Sequence, residues 1–366
     1  SVPTDVENGA FSGGAINIVL RSGGNQFHGS LFVNYLNEGL VGRHIGSARV
    51  PQVISQKNYG ATLQGPIIQD KLFFALAYET YSTSGTSAIG PAGEGFTNSY
   101  INGLTRATLD GINNTFNNTY ASDYDLGGIL KSYPVIDRKY SAKIDWNIND
   151  QHRASLTYRY AESGGTSTSG NSQTIAAFYS NLYLEQNIDK GSTFELNSDW
   201  TDRFSTTFRA TYRDWERGQN PPGGQNFSEI TICAQPGADT TVTDANQFAC
   251  TAGNNQVRFG PDFSRHANQL NIEEANFSLV GRYTLGDHNF KFGYQGTHKD
   301  VYNVFIGGAR GTYYFDSIAD FNAGRANRFQ YTNSVTGNPS DAAALFDYWV
   351  HSAFAQDTLQ VTDTIK

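Results

Sequence analysis

Stretches in which apolar and polar residues strictly alternate are joined along this chain by connections that are short, then long, then short again. At positions 140–148 the even residues are Tyr140, Ala142, Ile144, Trp146 and Ile148, and between them lie Ser141, Lys143, Asp145 and Asn147. The next stretch sets Ala154, Leu156, Tyr158 and Tyr160 against Arg153, Ser155, Thr157 and Arg159. A third sets Phe204, Phe208, Ala210 and Tyr212 against Arg203, Ser205, Thr207, Arg209 and Arg213. Period two is the signature of a strand with one apolar and one polar face, because successive side chains point to opposite sides. Positions 27–37, 59–67, 72–78, 193–200, 277–285 and 290–294 follow the same template, and 348–361 is a further strand whose facing the pattern leaves open.

The connections narrow the fold further. Tight polar turns fall at Gln69-Asp70-Lys71, Asn149-Asp150-Gln151, Thr201-Asp202-Arg203, Gly286-Asp287-His288 and Thr362-Asp363-Thr364. Asp, Asn and Gly suit such reversals. Between them lie long stretches at 38–56, 83–137, 163–180, 217–267 and 301–346, of which 104–116 has loosely helical spacing. Strands running up and down in order would place every short turn at one end and every long loop at the other. That is the arrangement of an all-β, transmembrane antiparallel up-and-down β-barrel, with periplasmic turns and extracellular loops. A β-sandwich has no reason to enforce it.

Composition fits. Charged residues make up 16% and aromatics 13%, yet mean hydropathy is −0.46, as expected of a wall apolar outside and polar inside. The apolar runs are strand-sized, which excludes a transmembrane helix. A net charge of −8 with no basic run argues against nucleic-acid binding. The two cysteines, Cys233 and Cys250, share one long loop. Their even number and loop placement favour a disulfide in an oxidising compartment, with two unpaired thiols or a cytosolic protein as the alternative.

No catalytic constellation is present, and the expectation is a protein that is not an enzyme and carries no cofactor. His28, His44, His152, His266, His288, His298 and His351 are scattered without metal-ligand spacing, and His152 and His288 read as solvated turn residues. Asp123 and Asp125 lack a full calcium-loop pattern. The Gly/Ser/Thr-rich stretches 84–95 and 164–171 read as surface loop rather than phosphate cradle. Lys143, Arg153, Arg159, Arg209, Arg213, Arg282 and Lys291 lie on polar faces, interleaved with Asp145, Glu195 and Asp199. A balanced polar lumen explains them better than an anion path. Trp146, Trp200, Tyr158, Tyr160, Tyr212 and Tyr283 on the apolar faces read as interfacial girdle residues.

Specific motifs add a resemblance. Gly13-Gly14-Ala15-Ile16-Asn17-Ile18-Val19-Leu20-Arg21-Ser22-Gly23-Gly24-Asn25, then Phe27-His28-Gly29-Ser30, resembles the plug-to-barrel junction of TonB-dependent outer-membrane receptors, closest to the Oar-like branch with its carboxypeptidase-regulatory-like domain. Gly65-Pro66-Ile67-Ile68-Gln69-Asp70-Lys71-Leu72-Phe73-Phe74 is similar to that branch's second periplasmic hairpin. Arg258-Phe259-Gly260-Pro261-Asp262, and Ala355-Gln356-Asp357 with Val361-Thr362-Asp363, resemble later landmarks. The resemblance implies the end of a plug domain at 1–25 and, at 26–366, about ten strands of a plugged barrel of roughly 22. It places the remaining strands, and most of the plug, outside this chain. It also implies a Gram-negative outer-membrane location among lipid, substrate capture at the extracellular loops, and import driven by the TonB complex acting on the missing N-terminal plug region. The alternative is a surface anchor whose loops hold a partner protein, with a β-rich soluble enzyme or lectin as a distant third. No individual substrate-binding residue emerges.

Overall fold

Alternation over ten stretches commits the chain to one sheet, and the computed structural model pairs all ten in sequence order into an antiparallel meander. The strands are β1 (His28–Asn37), β2 (Ser55–Ile68), β3 (Leu72–Thr86), β4 (Ser132–Asn147), β5 (His152–Ser167), β6 (Tyr183–Thr201), β7 (Phe204–Asn220), β8 (Asn268–Leu285), β9 (His288–Phe305) and β10 (Ala344–Leu359). The structure describes residues 6, 20–42, 44–49, 55–101, 103–120, 123–168, 170–235, 250 and 255–359. The turn at 362–364 and most of the stretch 1–25 lie outside them.

β1 and β10 are the two edges, so the sheet is an open wall rather than a closed barrel. Register carries the two faces across it. Trp146 pairs with Ala154, Ala154 with Leu196, Leu196 with Phe208, Phe208 with Leu279, and Leu279 with Tyr294. These residues form one apolar face, with Leu279 50% and Trp200 54% exposed. Such exposure is costly in water and favourable against lipid. Register also settles the facing of β10: Trp349 opposes His298 on the outer face, and Tyr348 opposes Lys299 on the inner one.

The described short turns close at one end. Asp70 takes the left-handed conformation at φ 61°, and Gly286 does so at 57°. Asn149 accepts from the Gln151 and His152 amides at 2.9 and 2.8 Å, and the Thr201 hydroxyl accepts from Arg203 and Phe204 at 3.2 and 3.1 Å.

At the other end the strands run further than alternation suggests. β3 continues to Thr86, β4 begins at Ser132, β5 reaches Ser167, β7 reaches Asn220 and β9 reaches Phe305. The expected loop starts at 83, 163, 217 and 301 are therefore strand, as are 84–86 and 164–167 of the Gly/Ser/Thr-rich stretches. The reason is that a spanning strand needs only about 9–11 residues, and beyond the lipid both faces are polar.

The long connections are not irregular either. Ile175–Ala177, Gln256–Phe259, Glu229–Cys233, Thr312–Phe315 and Arg328–Gln330 form a second, five-stranded sheet in that order, drawn from three loops. A fourth loop adds α1 (Arg106–Thr115), and α2 is Ile318–Asn322. The Thr105 hydroxyl accepts from the Thr108 amide at 3.2 Å and caps α1, which buries Leu109 and Ile112. Phe116, Phe178, Ile232, Val257, Phe259 and Phe321 pack with them into the main hydrophobic core. The core sits in this cap because a one-layer wall gives one face to lipid and the other to the lumen.

Candidate functional site

The inner face carries charge in matched pairs. Lys143 meets Asp145 at 2.8 Å, Arg209 meets Glu195 at 2.6 Å, Arg213 meets Asp189 at 2.5 Å and Lys299 meets Glu274 at 2.7 Å. Arg282 faces the same side and donates to the Thr207 hydroxyl at 3.2 Å. Of the basic residues read from the sequence, Lys143, Arg209 and Arg213 are thus paired with carboxylates on the same or the adjacent strand. Partly exposed salt bridges of this kind contribute little to stability; their effect is to set opposite charges side by side along the lining. A cavity of about 350 Å³ opens on this face, lined by Phe32, Thr62, Ala77, Glu79, Arg159 and Asp189.

The segment leading into β1 lies on the same side. Lys143 donates to the Ser22 hydroxyl at 2.7 Å. The Asn25 carboxamide accepts from the Asp70 amide at 2.7 Å and donates to the Asp70 carboxylate. The two sequence motifs at 13–25 and 65–74 therefore meet physically: the junction segment is clamped to the β2–β3 turn.

On the outer face, Trp146, Trp200, Tyr158, Tyr212 and Tyr283 are exposed among aliphatic residues, and Tyr160 is half-buried against Tyr140. His152 packs edge-on against Trp200, and His288 meets Asp357 at 2.6 Å, so both are engaged rather than merely solvated. Sequence inspection missed the charges on this face beyond the girdle. Lys190 meets Asp214 at 3.0 Å and Glu216 at 2.8 Å, and Tyr212 donates to Glu273 at 2.7 Å. The signal was available, since the apolar parity of Phe208, Ala210 and Tyr212 continues as Asp214 and Glu216. His298 reaches Asp300 at 3.4 Å and Asp347 at 3.3 Å. Their ligand atoms lie within 4.8 Å of one another, a grouping created by cross-strand register and invisible in linear spacing. A cross-strand hydrogen bond between His298 Nε2 and Asp347 accounts for it. Asp123 and Asp125 are not part of this group, and Asp125 accepts from the Gly127 amide at 2.8 Å.

The cap holds the buried polar groups. Cys233 and Cys250 are joined by a disulfide with Cα atoms 5.7 Å apart. The 258–262 motif is structural. Phe259 is fully buried, and Gly260 has φ 74° with the Ser228 carbonyl in the place of a side chain. The Asn181 carboxamide donates to the Gly260 carbonyl at 3.0 Å. Glu229 is buried, accepting from the Phe263 amide and the Thr231 hydroxyl, and burial pushes its carboxyl up to about 7. Burial holds His266 down at about 4; its Nδ1 accepts from the Arg310 amide at 3.1 Å, which leaves Nε2–H to donate to the Pro261 carbonyl at 3.0 Å. On the cap's surface Tyr313, Phe329 and Tyr331 form an exposed aromatic ladder with ring centroids 4.6 and 6.3 Å apart.

Comparison with known proteins agrees with this architecture. A 75-residue stretch, 19% of this chain and 7% of the relative, is 44% identical to the TonB-dependent transporter Oar of Myxococcus xanthus. The outer membrane transporter YddB of Escherichia coli shares the fold, with a TM-score of 0.50 and 11% identity over 86% of this chain and 33% of its own. The siderophore receptor PirA of Acinetobacter baumannii matches with a TM-score of 0.45 and 12% identity over 94% of this chain and 38% of its own. The chain thus spans about a third of the length of these solved relatives, which are outer-membrane transporters and receptors rather than enzymes. The family model described as outer membrane beta barrel domain matches residues 19–119 and 97–366. The chain is part of an outer-membrane β-barrel and belongs to that family.

Proposed function

We propose that this chain forms the first part of the wall of a TonB-dependent receptor, which captures a solute at its extracellular cap and imports it past a plug. The observation that carries the proposal is the cap itself. Four loops converge on a shared core at the strand ends, and loops on a rigid scaffold are where binding specificity resides. The aromatic ladder of Tyr313, Phe329 and Tyr331 offers flat apolar area at the cap surface, the kind of surface on which ligands stack. The lumen lining supports passage, because it is polar and sets Lys143, Arg209, Arg213 and Lys299 each beside a carboxylate. The contact of Ser22 with Lys143 supports a plug that joins the wall from inside. On this reading residues 1–25 are the plug's end, and TonB supplies the work while the barrel performs no covalent chemistry.

The test compares cells lacking this protein, cells lacking TonB and the parent strain. Untargeted mass spectrometry follows which solutes each depletes from a defined medium. A solute spared in both mutants identifies the cargo. Depletion that is identical in all three strains, with a surface protein lost from cells lacking the barrel, would refute import and establish the anchoring alternative.

A further inference from the structure

The five-stranded cap sheet has a face that its core covers only in part. Register places Phe259, Ile230, Tyr313 and Phe329 in one row across adjacent strands, on the side that meets the helices. Phe259 and Ile230 are buried, whereas Tyr313 is 38% and Phe329 52% exposed, and Tyr331 further along the chain is 54% exposed. On the wall such exposure meets lipid. Here it meets water, because the ladder lies past the end of β9: the Thr332 amide donates to the Gly308 carbonyl, beyond Phe305. β9 itself has 18 residues, against about 9–11 needed to span a membrane. Aromatic surface held in water on a folded cap marks an interaction site.

The rings are seated rather than loose. Gly311 has φ 83°, a conformation that favours glycine, and a side chain there would strike the Phe329 ring, which rests against bare backbone. Tyr313 packs on that ring from one side, and Tyr331 stacks nearly parallel to it, 11° between planes, on the other. Asn333 Nδ2 donates to the Tyr331 hydroxyl at 3.0 Å, which leaves the phenolic hydrogen to donate outward. Charge is absent along the ladder. No Asp, Glu, Lys or Arg occurs from Gly311 to Phe315 or from Phe329 to Ser340, where Thr332, Asn333, Ser334, Thr336 and Asn338 supply hydroxyls and carboxamides. Arg328 lies over the Tyr314 ring at 5.9 Å, on the opposite face of the sheet.

An ionic ligand would find no counter-charge on this strip, and a purely apolar one would leave its amides unused. A saccharide uses both, since its C–H faces stack on aromatic rings while its hydroxyls donate and accept. Rings already held in place lose little freedom on binding. Three in series suit linked sugars better than a single one. We infer that the ladder of Tyr313, Phe329 and Tyr331 binds a soluble, uncharged oligosaccharide. That this sugar is the cargo rests on the import reading; that it binds here does not.

The test titrates the full-length protein, extracted from outer membranes in mild detergent, with maltohexaose, cellohexaose, xylohexaose and chitohexaose in a calorimeter. Hexagalacturonate is the charged comparison. Phe329→Ala and Tyr331→Ala remove exposed rings, Tyr331→Phe keeps the ring without its hydroxyl, and Tyr59→Ala on the wall is the control. Each is first checked for the heat-modifiable gel mobility of a folded barrel. At least one neutral hexasaccharide should bind wild type and Tyr59→Ala alike and either ring deletion at least tenfold more weakly, with a smaller loss for Tyr331→Phe. Failure of all four to bind wild type, or binding indifferent to both ring deletions, would overturn the site. Equal binding of hexagalacturonate would overturn its preference for uncharged sugars. Hydroxyl-radical footprinting of the ligand-free protein is the second measurement. Phe329 and Tyr331 should be oxidised readily, and their protection would mean that another part of the protein already covers the ladder, which would also overturn the site. Ring-dependent binding by a protein whose cells import nothing would keep the site and refute import. Import of a solute that is no saccharide, unimpaired by Phe329→Ala, together with no hexasaccharide bound, would do the reverse.

Discussion

Removing the Phe259 ring should open the cap while leaving the wall intact. Phe259 is fully buried, and its ring centroid lies 5.2 Å from Phe116, 5.9 Å from Phe178 and 5.9 Å from Phe321, residues drawn from three other loops. No single loop can close around the cavity left by Phe259→Ala, so a cost of about 3–5 kcal/mol applies. At about 1.4 kcal/mol per tenfold, local opening becomes roughly a hundred to several thousand times more frequent. Hydrogen exchange followed by mass spectrometry on the detergent-solubilised protein reads this directly. Amides of Glu229–Cys233 and Gln256–Phe259 should exchange faster by that factor, while those of β5 and β7 keep their protection. The wall is expected to be indifferent because its ladders are closed strand to strand without contribution from Phe259. Unchanged protection in the cap, or equal loss in cap and wall, would refute the reading of the loops as a co-folded unit with its own core.

Other predictions follow from the same geometry. The Glu229 carboxyl, raised to about 7 from 4.5, stabilises the cap fully below pH 4.5 and loses that contribution as pH rises through 7. His266, lowered to about 4 from 6.5, stabilises it above pH 6.5 and loses that contribution as pH falls through 4. The two slopes oppose one another, so Glu229→Gln should make cap protection rise between pH 4 and 6.5 and His266→Gln should make it fall between 4.5 and 7, each by up to about 3 kcal/mol; hydrogen exchange at several pH values checks the signs, and parallel profiles for the two variants would contradict them. Reducing the Cys233–Cys250 bridge, which spans 17 residues, should destabilise the cap by about 3 kcal/mol in the chain-entropy model, measured as faster proteolysis within 217–267. Leu279→Arg on the lipid face should cost up to about 2–4 kcal/mol in refolding from urea into bilayers. Thr297→Arg on the inner face should cost far less, and equal costs would mean that the faces are assigned wrongly.

The wall was legible in the sequence because each spanning strand carries its own signal. Tyr140, Ala142, Ile144 and Trp146 alternate with polar residues whatever their neighbours do, and turns such as Gly286-Asp287 announce themselves locally. The cap was not legible. Its strands have three to five residues, too few for a period, and Ile175–Ala177 pairs in parallel with Gln256–Phe259 across a long separation. Helix α1 was the exception, since Leu109 and Ile112 carry helical spacing. The charges outside the girdle escaped notice for a related reason. Past Tyr212 the outer stripe turns polar, both faces look alike, and alternation stops marking a strand that continues to Asn220. His298, Asp300 and Asp347 come together only through the β9–β10 register.

The central claim is that the wall spans the outer membrane with its turns in the periplasm and its cap outside, and cysteine labelling on cells tests it most directly. Single cysteines at Asp150 and Asp287 in the turns and at Asn333 in the cap loop are exposed in turn to a maleimide too large to cross the outer membrane; the native cysteines are joined as a disulfide and do not compete. Labelling of Asn333→Cys on intact cells, with Asp150→Cys and Asp287→Cys labelled only after the outer membrane is permeabilised, is the predicted result. Labelling of either turn cysteine on intact cells would contradict the account.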